Sequence, residues 1–250
     1  MAGLTTLGVF LVSLASLLIC CSPAKAIARE LVENIKPQDN RYSLGNQFIS
    51  FPGDSLSKYS MRADCSGFLL AIFERAKYPT RHQMSFLASF PNRKRPAAED
   101  FVHSIENEKG FKRIRNVEDM RPGDLLAHAM LDIEDQKQTG TTGHVFLINS
   151  LPKQIKPRKP IVEGTRQFEV SIIDSNEEYV GADDSRLTDP SNKIKGLGRG
   201  TIRIYADSSG ELVGWARTFK NTARFFSYSP RFPSDTKARK AAVGRPVTGS

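Results

Sequence analysis

Cys65 and His144 are the residues of this chain whose types and settings could together break an amide bond. Cys65 opens the run Asp64-Cys65-Ser66-Gly67-Phe68, and the residues from Asp64 to Ala76 predict a helix. Asp64 or Ser66 can cap its front, and Phe68, Leu69, Ile72 and Phe73 recur at helical spacing. A cysteine at such a start meets the positive end of the helix dipole and unpaired backbone N–H groups. These favour the nucleophilic thiolate and can later hold an oxyanion. Ser66 and Gly67 are small, which leaves room for a substrate carbonyl. The chemistry also needs a general base, and His144 offers one near the start of an apolar, strand-like segment over 143–149. Taken by itself, Cys65 would equally suit a buried structural thiol.

Several elements must position these groups. Residues 27–35 predict a short amphipathic helix and 96–108 another, while 36–63, rich in Gly, Pro, Ser and Asn, read mostly as loop. Arg121-Pro122-Gly123-Asp124 marks a turn into a strand over 125–130. The periodicity then changes to two, with strands predicted over 143–149, 167–174, 200–205 and 212–217. Helices first and strands afterwards predict an α+β domain with an antiparallel sheet. Gly196-Leu197-Gly198-Arg199-Gly200 reads as a turn, because no helix follows it to form a phosphate cradle.

Asp64-Cys65-Ser66-Gly67-Phe68 resembles the DCSGF signature of the NlpC/P60 family of cell-wall cysteine hydrolases. Arg121-Pro122-Gly123-Asp124-Leu125-Leu126 is similar to that family's PGDL segment, and Gly143-His144-Val145 to its strand-borne histidine. The resemblance implies an α+β, papain-like fold in which N-terminal helices, with the nucleophile at a helix start, pack on an antiparallel β-sheet. It further implies Cys65 as nucleophile, His144 as general base and then acid, and peptidoglycan stem peptides as substrate, with no cofactor and no metal.

The family usually places a polar orienting residue about a dozen positions past the histidine. Here residues 151–160 form a basic, Pro-rich insertion and the next strand comes later. In an antiparallel hairpin the end of the second strand lies beside the start of the first, which points to Asp174. Asp174 would also suit a turn cap with Ser175 and Asn176. His128 is another candidate neighbour, or a half-exposed strand residue. On the substrate and oxyanion side stand Asp64, Ser66, Tyr59 and Arg186; the last two would equally suit a packed loop aromatic and a surface salt bridge. His82, His103, His128 and His144 show no metal-ligand spacing.

The chain has 250 residues, 39% of them hydrophobic and 25% charged, which excludes collagen, coiled coil and wholesale disorder. Its net charge of +9 suits anionic surroundings such as an acidic cell wall. Residues 1–26 read as a signal peptide, with an uncharged apolar run over 7–19 and cleavage after Ala26, and hence export to a periplasmic or extracellular space. Acylation of Cys20 or Cys21, giving a lipid anchor, is the alternative. The catalytic domain is then expected over 27–228, without a membrane span, and a flexible basic tail over 229–250. Two other functions stay open. One is a non-catalytic envelope-binding module that uses the basic 153–159 loop; the other is acyl transfer or deamidation on the same scaffold. No nucleic-acid partner is expected, since the basic residues form no recognisable binding module.

Overall fold

The computed structural model describes residues 22–54, 56–78, 96–187, 194–232 and 238–247. Cys20, Cys21, His82 and the apolar run over 7–19 lie outside them. In chain order the elements are α1 (Pro23–Asn34), β1 (Asn40–Arg41), β2 (Phe48–Ser50), β3 (Ser60–Arg62), α2 (Cys65–Arg75), α3 (Ala98–Glu106), β4 (Phe111–Ile114), β5 (Leu125–Met130), α4 (Ile133–Thr139) and β6 (Gly143–Ile148). Then follow β7 (Lys153–Ile155), β8 (Arg166–Asn176), β9 (Gly196–Ala206), β10 (Leu212–Ala216), β11 (Phe226–Ser227) and β12 (Arg239–Pro246).

The expected papain-like α+β domain is not what forms. The chain is mainly β: a nine-stranded antiparallel sheet runs β11-β10-β9-β8-β6-β5-β12-β4, with β7 on β8, and helix accounts for 24%. The strands predicted over 125–130, 143–149, 167–174, 200–205 and 212–217 are present as β5, β6, β8, β9 and β10. β7 and β12 lie in stretches read as insertion and tail, and β4 and β11 where no strand is predicted; together they carry the balance from α+β to β. A second, three-stranded sheet, β1-β3-β2, occupies part of the expected 36–63 loop.

One face of the large sheet carries the helices. Ala24, Ala28 and Leu31 of α1 and Phe68, Leu69, Ile72 and Phe73 of α2 are buried with Ala127, Val145 and Leu147. Each large apolar side chain removed from water there contributes about 1.5–3 kcal/mol. The opposite face encloses Leu126, Phe146, Ile148, Val170, Ile172, Ile202 and Trp215. The sheet curls around that second core until Asn116 bridges Glu211 and the Val117 N–H donates to Gly210 O at 2.9 Å.

An ordered element crosses the first expected boundary and another lies beyond the second. Ala24 is fully buried, so residues ahead of Ile27 belong to the folded unit, and the expected cleavage point after Ala26 falls inside α1. Residues 239–246, expected to be flexible tail, form β12 between β5 and β4. The physical reason is that their charges find distant partners. Arg245 donates to both oxygens of buried Asp124 at 2.8 and 2.9 Å and to Asp119 O at 3.0 Å, while Lys240 pairs with Glu106 at 2.6 Å. Ala242 and Val243 between them are buried.

The glycine-rich 196–200 segment, read as a turn, is instead the first half of β9. A Cβ on Gly198 would lie 2.3 Å from Arg186 Nε, and one on Gly200 2.4 Å from Val180 O. These glycines let the loop that carries Arg186 lie directly on the strand.

A chain ending at Ala238 lacks β12 and leaves buried Asp124 without its guanidinium partner. It is expected to lose its cooperative thermal transition, followed by circular dichroism, whereas Lys220→Ala, at an exposed loop, should melt as the parent does.

Candidate active site

Asp64 caps α2: its Oδ1 accepts from the Gly67 N–H at 2.7 Å and from Ser66 Oγ at 3.0 Å. This cap starts the helix at Cys65 and orients its first turn. Asp64 and Ser66, expected to face substrate, thus spend their side chains on building the helix start. The backbone N–H groups of Cys65 and Ser66 have no partner among the described residues and are the free donors of that turn. Cys65 is 7% exposed.

The β6–β8 ladder is recorded only at Leu147–Ile173 and Ile148–Ile172. Beyond it, towards the start of β6 and the end of β8, His144 Nε2 and Asp174 Oδ2 meet at 2.8 Å. On the helix side the Ser175 hydroxyl donates to Ala63 O at 2.7 Å, which ties β8 to the residues just ahead of α2. Cys65 thereby comes near enough to His144 for its charge and side chain to act on the imidazole. With Nε2 committed to Asp174, the other ring nitrogen, Nδ1, is left for the sulfur.

Burial opposes a charge on His144. The negative charge of Cys65, hydrogen bonds from Asp174 and Cys65, and the charge of Asp174 outweigh it, raising the imidazole pKa to about 9. His144 is then an imidazolium at neutral pH, a counter-charge for a thiolate. Because this pKa lies above the ordinary value near 6.5, the pair stabilises the fold fully below pH 6.5. That contribution is lost as pH rises through about 9.

Asp174 has no exposure to water. Burial raises its pKa, but the Arg186 charge, the hydrogen bond and charge of His144 and a hydrogen bond from Asn176 more than reverse this and hold it below the usual carboxylate range. The stabilisation from the ionised carboxylate is therefore present above its ordinary value of 3.8 and lost as pH falls through the depressed one. Asn176 Nδ2 donates to Oδ2 at 3.1 Å and Arg186 NH2 to Oδ1 at 3.0 Å.

Arg186, expected to bind a substrate carboxylate, is 1% exposed and fully engaged. Its remaining donors reach Asp184 at 2.8 and 2.7 Å and Gly196 O at 2.9 Å. It stands inside a buried line His144, Asp174, Arg186, Asp184 and holds Asp174 in place. Asp184 in turn accepts from the Val180 and Arg186 backbone N–H groups at 2.7 and 2.9 Å.

Tyr59 donates to Glu30 at 2.9 Å and packs on Phe51, so its hydroxyl is committed away from an oxyanion. Tyr42 is the tyrosine that sequence reasoning missed. Burial, then the charges of Cys65, Asp64, Glu177 and Asp174, hold its hydroxyl protonated well above the ordinary phenol range. Nothing local in the sequence marks it, since the small sheet β1-β3-β2 brings it there.

His128 is not half-exposed but 3% exposed, with rings of His144, Phe146, Trp215 and Tyr228 at 5.7–6.2 Å. Burial and the charges of Arg239, His144 and Arg217 push its pKa well below 6.5, so it is neutral. Neither of its nitrogens has a partner among the described residues, and it does not orient His144.

Among the described residues, no cluster of three or more His, Cys, Asp or Glu side chains is placed to hold a metal. No helix among them is long and apolar enough to cross a membrane. An uncharacterized protein of Acanthamoeba polyphaga mimivirus is 29% identical to this chain over 185 residues, covering 70% of this chain and 76% of that one. No family model matches the chain. No solved structure matches it.

Asp174→Asn removes the charge that supports the imidazolium and should lower the His144 pKa from about 9, read from the ring resonances in an NMR pH titration. Arg186→Met leaves two buried carboxylates without a cation and should cost about 3–5 kcal/mol of stability in denaturant unfolding.

Proposed function

We propose that the chain is a cysteine hydrolase that cleaves amide bonds through a thioester on Cys65. The observation that carries this reading is His144 held through Nε2 at 2.8 Å by the buried Asp174 carboxylate, with Cys65 near enough for its charge to raise the imidazole pKa. A nucleophile, a base and a group that orients the base are the three parts such catalysis needs.

The Cys65 thiolate attacks the substrate carbonyl carbon and forms a C–S bond, and the carbonyl oxygen becomes an oxyanion. The free N–H groups of Cys65 and Ser66 can stabilise that oxyanion, with the protonated Tyr42 hydroxyl as a further donor close by. As the intermediate collapses, the C–N bond breaks and the leaving amine takes the proton of His144. Water then attacks the thioester and gives a proton to neutral His144. The C–S bond breaks, restoring the thiolate and the imidazolium and releasing a carboxylic acid, which ionises by giving its proton to solvent. Throughout, Asp174 holds the imidazole in one orientation and favours its charged form.

The resemblance of Asp64–Phe68, Arg121–Leu126 and Gly143–Val145 to cell-wall hydrolase motifs makes peptidoglycan stem peptides the first substrate to test. Export of the chain belongs to the same proposal. Cys65→Ala should retain the parent's circular dichroism spectrum and reduce release of new amino groups from purified peptidoglycan, or turnover of a thiol-reactive amide, by at least about 10³-fold. Unchanged turnover would end the mechanism. In the parent, activity should fall as pH rises through about 9, where the imidazolium is lost, and Asp174→Asn should move this limb to lower pH.

A further inference from the structure

The basic insertion that interrupts the path from His144 to Asp174 folds into one wall of a cavity. Residues 153–155 pair with the first half of β8 as β7, and beside them and residues 156–158, against β8–β9 and Phe219, lies a space of about 570 Å³. That is within the ~300–1,000 Å³ range of small-molecule sites. Along β8, side chains alternate between faces, so Glu169 in this cavity points away from the face that holds Val170, Ile172 and Asp174. None of Cys65, His144 and Asp174 lines the cavity.

Its charged lining is Lys153, Lys156 and Arg158 against Glu169 and Asp183, a balance of 3 − 2 = +1. Both carboxylates are already occupied. Glu169 pairs with Lys153 at 3.3 Å, and Asp183 accepts from the Thr201 N–H and hydroxyl at 3.0 and 2.6 Å. Lys156 and Arg158 have no acidic partner among the described residues.

Behind this lining lies a second, independent observation. Arg203, cross-strand from Glu169, is fully buried and has no carboxylate partner among the described residues. Its guanidinium donates only to neutral oxygens, Arg158 O at 3.0 Å, Thr218 O at 3.3 Å and Gln167 Oε1 at 3.4 Å, and its Nε has no partner. Phe219, a wall of the cavity, has its ring 5.8 Å from the Arg203 guanidinium. Arg203 thus fastens both walls, through Arg158 O and Thr218 O, while leaving a buried positive charge unneutralised. Arg203 does not itself line the cavity, but its hydrogen bond to Arg158 O places its charge directly behind the wall.

We propose that this cavity binds a phosphorylated small molecule. The doubly charged phosphate would lie against Lys156 and Arg158 and balance Arg203 from above, and the Phe219 ring would cover the remainder of the ligand. Guanidinium and ammonium groups are the usual partners of phosphate, and two cations on the wall without acidic partners, with a third charge behind them, suit a multiply charged phosphate better than a single carboxylate.

The test is isothermal titration calorimetry of the full chain with inorganic pyrophosphate in one arm and adenosine diphosphate in the other. Saturable one-site binding is expected in at least one arm, and tighter binding of the nucleotide would assign Phe219 to the organic part. Affinity should fall at least tenfold in the Lys156→Ala, Arg158→Ala double variant, whose replaced side chains are exposed, and stay unchanged in Cys65→Ala. Should the double variant fail to fold by circular dichroism, Lys156→Gln alone should still weaken binding severalfold. No saturable binding in either arm, equal affinity in the folded variant, or loss of binding with Cys65→Ala would overturn the proposal.

Discussion

An ionised carboxylate with no contact with water must have its charge answered by the protein, and Asp174 is such a group. Arg186 answers it, but a guanidinium buried to 1% exposure needs a second acid, which is Asp184. Asp184 is in turn fixed by backbone N–H groups from Val180 and from Arg186 itself. The loop that carries these residues can lie on β9 only because Gly198 and Gly200 present no side chain. One buried charge thus dictates a glycine-bearing strand, a tight loop and an ion-pair line. Buried ion pairs of this kind add little net stability, because desolvation offsets most of the attraction. What they fix here is orientation: Asp174 has a single place to be, and His144 is held against it.

The charge state of His144 depends on the same desolvation. His144 sits at the start of β6 with the Phe146 ring 4.6 Å away and the neutral His128 ring beyond it. In such surroundings the attraction among Cys65, His144 and Asp174 is stronger than it would be in water. This is why the imidazole keeps its proton despite burial.

A second long-range constraint holds the sheet itself. Asp124, in the turn ahead of β5, accepts from the Arg121 N–H at 2.8 Å and receives Arg245 from β12 through two hydrogen bonds. The turn that introduces the strand beside β6 thereby also anchors the last strand of the chain. A Pro-Gly-Asp segment is readable as a turn from sequence, but its carboxylate's partner lies 121 residues away and is invisible there.

Local rules carried the reading of α2, because its cap, apolar spacing and length are written within a dozen residues, and the same holds for β5, β6 and β8. Asp174 was reachable by hairpin geometry even across the insertion, since antiparallel pairing constrains which strand end meets which. Arg186 was assigned to substrate because nothing near it in sequence reveals burial. Tyr42 was passed over because its neighbours in space come from elsewhere in the chain. The residues of β12 read as a solvated tail because basic residues with few apolar ones look unfolded until Glu106, Asp119 and Asp124 are brought beside them. By itself, then, the sequence determined a cysteine at a capped helix start, a histidine on a strand and the order of the main elements, since those follow from short-range backbone preference. Tertiary structure alone decided that the domain is mainly β, that Asp174 and not His128 holds the histidine, and that Arg186 serves the site from behind. Each of those depends on which distant charges share a water-free interior.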